Sequence, residues 1–200
     1  MTETARRILD EALKAFSRYG YRAANVGDIA EASGVSRQAL YKHFADKDEL
    51  FKGVVDDLHA TTLAAAEAAM TQAAAQGPAA ILHAQLERRY GPFQDHFHNT
   101  PHGAELVSEW NRLCGPRNTQ ATARFTDILT KTIKQEAKAG RLDLDHAPLK
   151  PGELAELLIR GVYGLKSREP SPLSPTEFRL KLKHMVGLLI ASLTTTGKRK

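Results

Sequence analysis

Arg37, Gln38, Tyr41 and Lys42 stand at positions i, i+1, i+4 and i+5 of one short segment, and on a helix those positions share a face. Such a face can enter the major groove of a duplex. A guanidinium offers two parallel donors to guanine, and a carboxamide pairs a donor and an acceptor with adenine. Lys47 lies a turn further on, where a new helix opens and the positive end of the macrodipole disfavours a cation. A phosphate nearby would explain it.

Other chemistry is harder to assemble. Gly34-Val35-Ser36 begins like a nucleophile elbow, but Gln38 stands where that turn needs a second glycine. There is no HExxH helix and no phosphate-cradling glycine loop, and Cys114 has no catalytic signature around it. The chain is therefore not expected to be an enzyme, and no cofactor is expected. Phe93, His96, Phe97, His98, His102, Trp110 and Cys114 gather in one stretch. Phe93, Phe97, Trp110 and Cys114 could wall a pocket for an apolar or aromatic small molecule, although any one such side chain is more often plain core. A metal site from His96, His98 and His102 is disfavoured, because residues two apart point to different helix faces.

The elements that must position these groups all have a helical period. Ala5, Ile8, Leu9, Ala12, Leu13 and Phe16 recur at three and four residues, predicting a first helix to about Tyr19, ended by Gly20. Asn25 caps a short second helix, with Asp28 three residues on in an approximate capping box, and Gly34 stops it. Ser36 caps a third helix with Leu40 and Phe44 inward. Asp46 with Glu49 caps a fourth, which carries Leu50, Phe51, Val54, Val55 and Leu58 on one stripe and continues through alanine-rich sequence to about Ala75. The spacing of Ala30, Gly34 and Leu40 suits two helices that cross closely about a tight turn, with Ile29 and Val35 closing a small core against Phe16 and Phe44. Further helices are expected over 78–97, 101–113, 116–139, 151–167 and 175–193, with proline repeatedly at the first helical position. Ser174, Pro175 and Glu177 form the best capping box, and Gly140 reads as a stop. No strand pattern is present, so the fold class is all-α.

Charge narrows the partners. The net charge is +5, of which Lys198, Arg199 and Lys200 supply three, in what reads as a solvated tail. Residues 1–50 hold eight bases and eight acids, so a nucleic-acid reading rests on placement: from Arg37 to Lys47 three bases face one acid. A hydrophobic content of 42% can bury a core without disulfides, and the single cysteine excludes an intrachain one. The longest lipid-like run, Met185 to Leu193, is too short to span a bilayer, and Glu3 and Asp10 argue against a signal peptide. No membrane partner and a cytoplasmic location are expected.

The N-terminal 55 residues closely resemble the TetR family of bacterial transcriptional regulators. The likeness lies in the helix-one ending "ALKAFSRYGY" and in "NVGDIAEASGVSRQALYKHFADKDELF", with its Gly-Val-Ser turn, Leu40-Tyr41, His43-Phe44 and Lys47. The rest of the chain matches only in architecture. The resemblance implies a three-helix helix-turn-helix DNA-binding domain and a C-terminal helical domain for effector binding and dimerisation. It implies base-reading positions at Arg37, Gln38 and Ala39, and phosphate-facing positions at Ser36, Tyr41, Lys42, His43 and Lys47. Gly27 stands where a larger residue is usual in the family, and Ala39 where a hydroxyl is common.

Residues 1–47 are thus expected to form the DNA-binding domain and residues 48–200 the ligand-binding and dimerisation domain, with helix four bridging them. Phe178, Leu182, Met185, Val186, Leu189, Ile190 and Leu193 make a broad apolar stripe on the final helix, while Gly161 and Gly164 let the preceding one approach a neighbour closely. These are the candidate homodimer interface, the alternative being that the stripe is intramolecular core. The expected function is a regulator, acting as a repressor, that leaves a palindromic double-stranded operator when an unidentified small-molecule effector binds. The alternative is a helical dimeric interaction or ligand-binding protein without DNA contact.

Overall fold

A computed structural model of the chain describes residues 1–98, 100–145, 147, 149–166 and 173–194, except the side chain of His98. Eight α-helices are present among them: α1 (Glu3–Ala23), α2 (Val26–Ala32), α3 (Arg37–His43), α4 (Lys47–Gln72), α5 (Pro78–Phe93), α6 (Gly103–Lys138), α7 (Pro151–Leu165) and α8 (Pro175–Ala191). A single 3-10 turn follows α4 and a π-helical turn, Gln94–His98, follows α5. None of the described helices is long and apolar enough to cross a membrane.

Local signals explain most helix ends. Thr2, Asn25, Ser36 and Ser174 accept backbone N–H bonds as N-caps, and Asp46 accepts one from Glu49 at 2.8 Å. The Asn25 side chain takes the Gly27 N–H. Ser174 and Glu177 complete a reciprocal capping box. Gly20 breaks the helical path of α1 with φ 81°, and three more residues continue it to Ala23.

Pro116 behaves differently from the expectation of a helix opening there. It lies inside α6, which runs unbroken over 36 residues. The reason is visible on the buried face: Leu106, Trp110, Cys114, Ala121, Phe125, Leu129 and Ile133 recur at four residues on each side and at seven, two turns, across the proline. Burial along both flanks outweighs the roughly 3 kcal/mol that an interior proline costs.

The chain packs as two compact units. One comprises Met1–Thr61 with Pro92–Thr119, the other Thr62–Gly91 with Gln120–Lys200. The first unit thus takes in more than residues 1–47, because Phe51, Val54, Val55, Phe93, Phe97, Leu106 and Trp110 share one core with Ile8, Phe16, Ile29 and Leu40. α4 and α6 each give residues to both units.

The second unit corrects the outward stripe read on α8. Phe178, Leu182, Val186 and Ile190 are fully buried and Leu193 nearly so, packed in the unit's own core with Phe125, Leu129, Leu154 and Leu158. A side chain with no exposed surface in the single chain has none left to bury against a second copy. Met185 and Leu189 are half-buried. Gly161 serves the same internal packing, since a Cβ there would stand 2.5 Å from the Met185 sulfur, whereas nothing lies within 4 Å of one at Gly164. The apolar groups that α7 and α8 do expose are Leu157, Tyr163, Leu180 and Leu188, the last at 77%. The basic C-terminal tail lies outside the described residues.

Candidate nucleic-acid interface

The turn between α2 and α3 sets the geometry of the site. The Gly34 N–H bonds to the Glu31 carbonyl at 2.9 Å and the Val35 N–H to the Ala30 carbonyl at 3.0 Å, the paired bonds of a Schellman ending. That ending requires a left-handed residue, and Gly34 has φ 68°. Ala30, 1% exposed, and Ile29 lie beneath, with Leu40 from α3 fully buried against them and Val35 and Phe44 closing the edge. Burying the Leu40 face of a seven-residue helix leaves its other face to solvent.

On that other face Ser36, Arg37, Gln38, Tyr41, Lys42 and His43 are exposed, and Ala39 is half-exposed. The Ser36 hydroxyl accepts the Ala39 N–H at 3.1 Å, which leaves its own proton available to an outside acceptor. The Arg37 guanidinium lies 5.6 Å from the Tyr41 ring centroid, with Nη2 3.5 Å from the phenol oxygen. This i, i+4 stack restrains a flexible arginine along the helix, reducing the entropy lost when it binds. The structure therefore brings together the whole set read from the sequence on α3.

Lys47 has partners that spacing could not reveal. Its Nζ donates to the carbonyls of Arg22 at 2.9 Å and Ala24 at 2.5 Å, and it lies 5.0 Å from the Tyr21 ring. The cation at the start of α4 is thus accounted for by the carbonyl-rich end of α1, which it caps. Burial holds its ammonium below the ordinary lysine value. These two bonds use two of its three N–H groups.

Beside it the Tyr21 hydroxyl donates to Asp48, and Arg112 reaches the same carboxylate at 3.4 Å. The hydrogen bond from Tyr21, then Arg112, hold the Asp48 carboxyl below its usual range, so this acid near the basic face stays ionised and is paired with Arg112. Burial, then Asp48, push the Tyr21 phenol up. Glu105 of α6 also reaches this joint, through the backbone N–H of Arg22. No sequence signal links residues 22, 47 and 105; only folding brings them together.

These local features coincide with a known family. The sequence model of a family described as "Bacterial regulatory proteins, tetR family" matches residues 8–54, which run from the first buried face of α1 through the turn to the start of α4. The chain carries the TetR-family sequence pattern over residues 8–54. Its TetR segment is 48% identical over 52 residues to the HTH-type transcriptional regulator AcrR of Shigella flexneri, covering 26% of this chain and 24% of that one. It is 42% identical over 59 residues to the HTH-type transcriptional regulator TtgR of Pseudomonas putida, covering 30% and 28%. The matched segment spans about a quarter of these relatives' length. Beyond it the likeness is one of fold: a crystal structure described as a TetR-family transcriptional regulator of Mesorhizobium loti superposes with a TM-score of 0.70 at 19% identity, over 98% of this chain and 100% of that one.

The aromatic cluster lies in the same unit as the TetR-type helices. Phe93 and Phe97 stand 4.7 and 4.8 Å from Trp110, and Phe97 is 6.1 Å from Phe51 of α4. Phe93, Phe97 and Cys114 are at most 2% exposed and Trp110 is 8% exposed. The side chains proposed as pocket walls are thus brought together, in contact with one another and within the core beneath the helix-turn-helix. Burial pushes the Cys114 thiol up to about 11. His96 is half-buried on the π-helical turn, His102 pairs with Glu105 at 3.8 Å, and the side chain of His98 lies outside the described residues. Among the described residues no group of three His, Cys, Asp or Glu could hold a metal.

Proposed function

We propose that the chain is a sequence-specific DNA-binding transcriptional regulator, a homodimer that represses from a palindromic operator and is released by a small-molecule effector. The observation that carries this reading is the exposed face of α3, where Arg37, Gln38, Tyr41 and Lys42 project from a helix fixed by the Gly34 turn. Arg37 and Gln38 supply donors for base edges, and Tyr41, Lys42, His43 and the remaining N–H of Lys47 supply phosphate contacts. A two-fold dimer repeats this face one helical turn away, so its operator is palindromic.

The exposed apolar groups of α7 and α8 support self-association. Leu157, Tyr163, Leu180 and Leu188 are four of the seven large apolar side chains exposed among the described residues, and Gly164 lies on the same helix pair with open space above it. We assign the dimer seam to this outer face. Selection of bound sequences from random duplex DNA tests the reading. A recovered palindrome bound by two chains is the expected result; recovery of no common sequence, with salt-insensitive binding, overturns it.

A further inference from the structure

We propose that the second unit binds a small organic anion in the hollow lined by the end of α4, by α5 and by α8, with its negative group held by Arg88 and Lys183 and a compact apolar body against the alanine lining. This rests on the reading that a small molecule regulates the chain, and it gives that molecule's chemistry and its place.

The hollow measures about 540 Å³, inside the range of roughly 300 to 1,000 Å³ in which small-molecule sites fall, and every residue that lines it belongs to the second unit. Small residues make the space: Ala73 just after α4, Ala79, Ala80 and Ala84 on α5, and Gly187 on α8, where a Cβ would meet nothing within 4 Å. The rest of the lining is polar. Gln72 and Gln76 come from the end of α4 and the turn after it, His83 and Arg88 from α5, and Lys183 from α8.

The charge of this lining has one sign. No carboxylate belongs to it, and neither Arg88 nor Lys183 makes an ion pair among the described residues. Glu87, next to Arg88 in sequence, is taken by Arg179 of α8 at 3.1 Å. Ala79 and Ala80 belong to the first turn of α5, whose positive macrodipole end adds to the same potential. His83 is half-buried, and burial holds its imidazole below the ordinary histidine value; Glu87 and the Arg179 backbone oppose that shift and Lys183 adds to it. Two cations beside a small apolar lining, with no acid to neutralise them, suit a ligand that brings the negative charge itself. A guanidinium and an ammonium can hold a carboxylate or a phosphate by charge-assisted hydrogen bonds, while the ligand's apolar body covers the alanines.

The test uses the full-length protein without DNA, titrated by calorimetry with benzoate, phenyl phosphate and inorganic phosphate, and with benzamide and benzylamine as neutral and cationic counterparts. The two organic anions are expected to bind better than either counterpart and better than inorganic phosphate, and their order shows whether carboxylate or phosphate is preferred. Arg88→Gln and Lys183→Gln should each weaken the tighter anion about tenfold, as expected for one lost charge-assisted bond. Ala80→Phe should abolish binding by filling the space, and each ligand-free variant should melt as wild type does. Where a variant melts lower, His83 of the wild type decides. Glu87 of α5 and Lys183 of α8 are the charges that act on it, and the end of α4 offers only Gln72 and Gln76. A bound anion favours the imidazolium, so the NMR titration midpoint of His83 should move up when the anion is present. Anions that bind no better than benzamide and benzylamine, organic anions no tighter than inorganic phosphate, unchanged affinity in either charge variant or in Ala80→Phe, or a His83 midpoint that stays in place would each overturn the proposal. Operator titration with and without the bound anion is read separately, so an anion that binds without changing operator affinity refutes the regulatory reading and leaves the site standing.

Discussion

Glu105 Oε1 accepts a hydrogen bond from the backbone N–H of Arg22 at 2.7 Å, while Lys47 Nζ donates to the carbonyl of the same residue at 2.9 Å. The chain just after the Gly20 kink is therefore held by α6 and by α4. Gly20 makes the fit possible, because a Cβ there would press on the Glu105 carboxylate and the His102 ring, and its φ of 81° disfavours any other residue. Gly20→Ala should cost about 1 to 3 kcal/mol from backbone conformation alone, because φ 81° with ψ 170° is a region essentially confined to glycine, and more with the clash. Glu105→Ala should cost about 1 kcal/mol, since the carboxylate is partly solvated. Urea unfolding checks both; an unchanged midpoint in Gly20→Ala would mean that the joint is not fixed in this way.

Lys47 should contribute to stability as well as to DNA affinity. Lys47→Met leaves the Arg22 and Ala24 carbonyls without their donor, at a cost of about 1 to 3 kcal/mol measured without DNA. If the variant melts like wild type and loses only operator affinity, its role is confined to phosphate.

Lys42 gives the cleaner electrostatic test, since it is exposed and belongs to α3. Lys42→Ala in a dimer should make the log-log salt dependence of operator binding shallower by about 2, at roughly 0.9 per phosphate contact. Arg37→Ala and Gln38→Ala should instead relax base preference, costing about 1 to 3 kcal/mol per half-site on the selected operator. Competition titrations against operators changed at single positions separate the classes; uniform weakening by Arg37→Ala across all sequences removes its base-reading role.

Leu188 and Leu182 lie six residues apart on α8, about 120° apart around the helix, one 77% exposed and one fully buried. Leu188→Glu should yield folded monomers in sedimentation, with helicity intact. Leu182→Glu should unfold the second unit, as an unpaired charge in a core costs several kcal/mol. A Leu188→Glu that still sediments as a dimer places the seam elsewhere.

Cys114 should resist alkylation. Its folded thiol is pushed up to about 11, so almost no thiolate exists near neutral pH, and the side chain is fully buried. Iodoacetamide should label it only as fast as the first unit opens, and in urea at once; rapid labelling of the native protein contradicts the packing around Trp110.

The sequence determined what is local. Caps at Asn25, Ser36, Asp46 and Ser174 and the break at Gly34 are matters of adjacent residues, so the first three helices, the turn and the exposed face of α3 were legible before any packing was known. The exposed set Arg37, Gln38, Tyr41 and Lys42 could be named because α3 has one apolar anchor, Leu40, and burying it turns the other long side chains outward. Tertiary structure decided whatever depends on a choice between burial partners. An apolar stripe says that a helix face is covered, not whether by its own chain or another, so Phe178 to Leu193 read as an interface and proved to be core. Pro116 read as a boundary because a proline's cost is local, while the burial that overrides it spans the whole length of α6. Lys47, Arg22 and Glu105 are far apart along the chain, and the Lys47 ammonium and the Glu105 carboxylate find the Arg22 backbone only when folding brings α1, α4 and α6 together.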